Sequence, residues 1–96
     1  MTASADSFTL KLGKRMTLAE AQEFYDEAAA LNSAEFPSQI VIDAVENEVI
    51  EFPILQILAA VFAEAQARGS KVSWDNPSIA VFERSVALGL DDALGL

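Results

Sequence analysis

Residues 40–58 read IVIDAVENEVIEFPILQIL, and the change of rhythm inside this stretch decides the fold. Ile40, Val41 and Ile42 are consecutive β-branched residues stopped by Asp43, the pattern of a short buried strand. Ala44 to Glu51 is an acidic loop, with Val49–Ile50 as a further short strand inside it. Pro53 then opens a helix, because its fixed φ and missing N–H suit the first helical position. That helix runs to about Arg68, where Gly69 closes it.

Outward from this stretch the same alternation continues. Phe8, Leu10 and Leu12 alternate with polar residues at the period of a half-buried strand, which Gly13 ends. Lys14 to Met16 suit a short second strand or a turn. Thr17 is an N-cap, with Glu20 at the capping-box spacing. Leu18, Ala21, Phe24, Tyr25, Ala28 and Leu31 then share one helical face, and the helix is expected to end near Asn32. Beyond Gly69, Lys71 to Trp74 reads as a strand and Asp75-Asn76-Pro77 as a turn. Ser78 to Leu88 is a third amphipathic helix closed by Gly89, and Leu90–Leu96 adds a last helical turn. Strands alternating with helices predict a largely parallel sheet with helix cover. Residues 1–6 are expected to form a flexible polar tail, and residues 7–96 a single domain.

The chain has 96 residues, 52% of them hydrophobic, which is enough for one core and too apolar for disorder. Six basic residues against fifteen acidic ones leave a net charge of −9. From Met16 to Ala67 there is no Lys or Arg, while ten carboxylates stand there. That sign excludes nucleic acid and disfavours anionic membrane surfaces. It favours a basic partner, or solubility alone. The absence of Cys and His removes disulfides, thiolate or imidazole metal sites and His-based triads. No signal peptide opens the sequence and no apolar run is long enough to span a bilayer, so a cytoplasmic location is expected.

Two places could carry chemistry. Asp43, Glu46, Glu48 and Glu51 gather at a strand end, where paired carboxylates can run acid–base catalysis; the plainer reading is a solvated loop. Their spacing matches no EF-hand loop, and the four glycines are too dispersed to cradle a phosphate, so neither metal nor cofactor is expected. The second place is the start of the second helix. Ile54, Leu55, Ile57 and Leu58 make it apolar on nearly every side, so it is either deeply buried or covered by another molecule. A partner-binding edge is expected at Glu51, Phe52, Pro53, Leu55 and Gln56, rimmed by Glu46 and Glu48, with Phe52 as anchor. Such an edge also suits a symmetric homodimer.

The strand Ile40-Val41-Ile42-Asp43, the block from Val49 to Leu58, Ala67-Arg68-Gly69-Ser70-Lys71-Val72 and Ala87-Leu88-Gly89-Leu90 together resemble the STAS domain family, the fold of anti-sigma factor antagonists. The likeness covers the chain from about Phe8 to Leu96. It implies one α/β domain, a small mixed β-sheet covered on one face by three to four helices. It also implies a non-enzymatic regulatory module that binds a protein. In the family a hydroxyl residue before the second helix is phosphorylated, which controls docking. Here Glu51 stands at the family's Asp position, Phe52 and Pro53 replace both hydroxyl candidates, and Pro53 occupies the phosphoacceptor position. Phosphate cannot be carried there, so the phosphoswitch is lost. The partners implied are a kinase-type anti-sigma factor, another signalling protein, or the ATPase of an ABC-type lipid transport complex.

Overall fold

The structure, a computed structural model, describes residues 7–31 and 36–96. The element order is β1 (Ser7–Lys11), β2 (Arg15–Met16), α1 (Leu18–Ala29), β3 (Gln39–Asp43), β4 (Val49–Ile50), α2 (Phe52–Ala67), β5 (Lys71–Asp75) and α3 (Ile79–Ala87). Lys14 to Met16 thus contains the short strand rather than a turn alone. The tail at residues 1–6 and the expected helix end near Asn32 lie outside the described residues; α1 itself closes at a C-cap on Ala30.

β3 is the central strand of the order β1-β3-β5, and β2 pairs with β4 in a separate ladder. Every described ladder is parallel, so the mixture of strand directions allowed for in the sequence does not occur there. The register aligns Phe8 with Ile40 and Val72, and Leu10 with Ile42 and Trp74. Because side chains alternate along a strand, these six share the inner face. Leu10, Ile40 and Ile42 are fully buried there.

The other face carries Thr9, Val41 and Ser73 in one row and Lys11, Asp43 and Asp75 in the next. It lies open, with only Val41 and Asp43 partly covered. Parallel sheets usually have both faces covered. Here the polar alternation in β1 and β5 marks one face as solvated, in keeping with the one-sided helix cover expected from the sequence.

The helices close the inner face. α2 buries Ile54, Leu55, Leu58, Val61 and Ala65 along one stripe. α1 packs beside it, burying Phe24 and Ala28. Burial of each large aliphatic side chain contributes about 1.5–3 kcal/mol. α2 ends in a left-handed Gly69, φ +75°, followed by Ser70 N–H bonding back to the Ala65 carbonyl at 2.8 Å. The C-terminal segment folds into a turn in which Leu94 N–H reaches the Leu90 carbonyl at 3.0 Å. Leu94 is fully buried, and its carbonyl accepts the Trp74 indole N–H at 2.7 Å, while the Trp74 ring stacks on Phe62.

Candidate protein-binding site

One end of the molecule gathers the β1–β2 turn, the β3–β4 loop and the starts of α2 and α3. Asn47 ties these segments together. Only 5% exposed, its Nδ2 donates to the Gly13 carbonyl at 2.9 Å and to the Val49 carbonyl at 3.0 Å. Its Oδ1 accepts the Ser78 hydroxyl at 3.0 Å. Ser78 in turn is the N-cap of α3, accepting from Val81 N–H at 3.0 Å. One amide therefore satisfies a turn carbonyl and a β4 carbonyl and anchors a helix start, which is what a buried polar side chain requires.

The expected edge is brought together here, with one exception. α2 begins at Phe52, so Pro53 is its second residue rather than its first. Phe52 is 43% exposed, Gln56 is exposed and Pro53 is half-buried. Leu55, by contrast, is completely buried and belongs to the core. The sequence reading of Leu55 as a contact residue is corrected accordingly: it lies one position from Ile54, and both point into the buried stripe of α2.

Each acidic residue of the loop has local work. The Asp43 carboxylate accepts from Val45 N–H at 3.1 Å. Glu51 makes no side-chain cap on its own helix; its Oε1 accepts from Leu18 N–H at 2.9 Å, satisfying a free donor in the first turn of α1. Glu46 meets Lys11 at 2.9 Å and Glu48 meets Lys14 at 4.0 Å, both on the surface. The hydrogen bond to Glu46, and then its charge, hold the Lys11 ammonium above its ordinary pKa. The acidic rim is thus partly neutralised by two lysines distant in sequence. Among the described residues, no group of three or more acidic side chains is placed to hold a metal ion.

Two features of this end were not anticipated. The first is Asn47, which reads as one more polar loop residue. The second is α3. It buries Val81 and Ser85 and exposes Ile79 at 76%, Phe82 at 51% and Val86 at 48%. A helical wheel of Ser78–Leu88 shows that these three residues share a stripe apart from Val81 and Ser85; the wheel alone cannot say which stripe faces the core. A groove of about 610 Å3 also runs between α1 and α2, from Pro53 and Gln56 past Tyr25 and Ile57 to Phe36.

Comparison with known proteins adds the family. The model described as "Mlab, STAS domain" matches residues 1–96. No match was found among curated proteins. Solved structures also share the fold, and two of them show the likeness. One is a sulfate transporter family protein from Wolinella succinogenes, with TM-score 0.73 and 15% identity over 94% of this chain and 72% of that chain. The other is the protein TM1081, solved by NMR, with TM-score 0.72 and 18% identity over 93% of this chain and 71% of that chain.

Proposed function

We propose a function from a fixed premise: the chain belongs to the STAS domain family, a family of regulatory and protein-interaction modules. In our reading it is a non-enzymatic, cytoplasmic module that captures a protein partner at the start of α2, through Phe52, Pro53 and Gln56, with Glu46, Glu48 and Glu51 beside them. The observation that carries this reading is Phe52. A large aromatic residue stands 43% exposed at a helix start, where burying it would have been favourable. Such residues anchor interfaces.

Docking at this edge is not gated by phosphate on the edge itself. Pro53 carries neither hydroxyl nor N–H, and Phe52 carries no hydroxyl. The carboxylates support the enzymatic alternative poorly, since Asp43 and Glu51 are engaged by backbone N–H groups and Glu46 and Glu48 by lysines. No cofactor is invoked. A partner of the anti-sigma kinase or signalling type is the first choice. The ATPase of an ABC-type transport complex is the second.

Tagged protein purified from its native cells at low salt tests the reading, with Phe52→Asp as the control. Wild type should retain a partner that Phe52→Asp loses while melting at an unchanged temperature. Glu48→Gln and Glu51→Gln should alter only the affinity and its salt dependence. Undiminished capture by Phe52→Asp would refute the edge, and loss of a turnover with those carboxylates would support the enzyme instead.

A further inference from the structure

With Leu55 in the core, the edge on α2 is small. Stable protein interfaces engage roughly 20–30 residues a side. Phe52, Pro53 and Gln56 fall far short of that, so a partner held there must also cover neighbouring surface. α3 supplies it. The helix packs on β4, the strand that leads into α2, and its cap Ser78 is bonded to Asn47 in the loop carrying Glu46 and Glu48. The exposed stripe Ile79, Phe82 and Val86 starts beside that clasp and runs along the helix.

We infer that the docking face extends from Phe52 onto the Ile79–Phe82–Val86 stripe of α3, and that its occupant is a protein with an apolar seat rimmed by Lys and Arg. The inference rests on the proposed reading of the α2 edge. Charge selects the occupant. From Asp75 to the C-terminus stand four carboxylates and one cation. Glu83 sits four residues after Ile79 and three before Val86, which puts it beside the stripe on a helix surface. Arg84, two residues from Phe82 and from Val86, turns away from it. A second copy of the chain, also carrying −9, would meet acid with acid. A basic partner is steered in, and its on-rate falls as salt rises.

The test starts from the protein retained by wild type in the capture experiment. Once identified and purified, it is titrated against wild type, Phe52→Asp, Phe82→Asp and Glu83→Lys by calorimetry at two salt concentrations. Phe82→Asp should weaken binding about 30-fold or more, the size expected of an anchor residue. Glu83→Lys should weaken it several-fold at low salt and less at high salt. Val86→Glu serves in place of Phe82→Asp if the latter fails to melt cooperatively. Unchanged affinity in Phe82→Asp, with loss in Phe52→Asp, overturns the α3 extension and leaves the α2 edge standing. Unchanged affinity in both overturns both readings, as does failure to retain any protein. A wild-type dimer split by Phe82→Asp overturns the basic occupant in favour of a second copy, and so does binding that strengthens with salt.

Discussion

Replacing Asn47 by Ala should be among the most damaging single changes outside the apolar core. The substitution removes two hydrogen bonds donated to the Gly13 and Val49 carbonyls and one accepted from the Ser78 hydroxyl. Each such bond contributes about 0.5–1.5 kcal/mol net, so the loss comes to about 3 kcal/mol. In a domain of this size that lowers the melting temperature by about 12–24 °C. Thermal unfolding followed by circular dichroism reads it directly. Asn47→Asp sharpens the reasoning. It keeps an oxygen toward Ser78 but loses the amide protons that face two carbonyls, so an ionised carboxylate is repelled there and its folded pKa rises. The folded state then binds more protons than the unfolded one, and stability falls as pH rises from about 4. Asn47→Asp should therefore be less damaging in acid than at neutral pH. A loss under about 4 °C for Asn47→Ala, the size of an ordinary surface change, would refute the role assigned to this amide.

Leu55→Ala should destabilise by about 2–5 kcal/mol in urea denaturation, because a completely buried leucine is replaced by a cavity, whereas Phe52→Ala should cost clearly less. The reverse order would return Leu55 to the surface and Phe52 to the core. The capping box of α1 predicts a pH dependence. The Thr17 hydroxyl donates to the Glu20 carboxylate at 2.6 Å and the Thr17 backbone N–H at 2.7 Å, which holds the Glu20 carboxyl below its ordinary pKa. A depressed carboxyl contributes stability above its unfolded pKa and loses it as pH falls through the folded one. The gap in urea midpoint between wild type and Thr17→Ala should therefore narrow below about pH 4. A gap that widens in acid would reject the assignment.

Much of the fold was legible because several local signals agreed. The alternation of Phe8 and Leu10, the β-branched run at Ile40, the Thr17–Glu20 box, Pro53 and Gly69 each specify backbone conformation within a few residues, and each was met by an element. What escaped the sequence depends on contacts between distant segments. Glu51 looked free for a partner, yet the donor it satisfies is Leu18 N–H, 33 residues away. Lys11 and Lys14 stood outside the cation-free stretch and still reach Glu46 and Glu48 across the paired strands. Asn47 gave no signal at all, because its importance lies in the partners that converge on it.

α3 shows why the candidate site was harder to read than the fold. Periodicity assigns Ser78–Leu88 to a helix and divides its residues among faces, but it does not say which apolar stripe meets the core. The structure decides it. Val81 and Ser85 point inward, and the Ser85 hydroxyl is fully buried without a hydrogen-bond partner among the described residues. Ile79, Phe82 and Val86 point outward. The start of the helix is anchored, Ser78 being held by Asn47, while its end closes on itself as Leu90 N–H bonds to the Ser85 carbonyl at 2.8 Å beyond the left-handed Gly89. Hydrophobicity alone would favour turning the larger side chains inward. A helix anchored at its start with its bulkier apolar stripe exposed and a hydroxyl facing the core trades stability of the isolated chain for a surface to be covered. That trade is intelligible for a module whose work is to be bound.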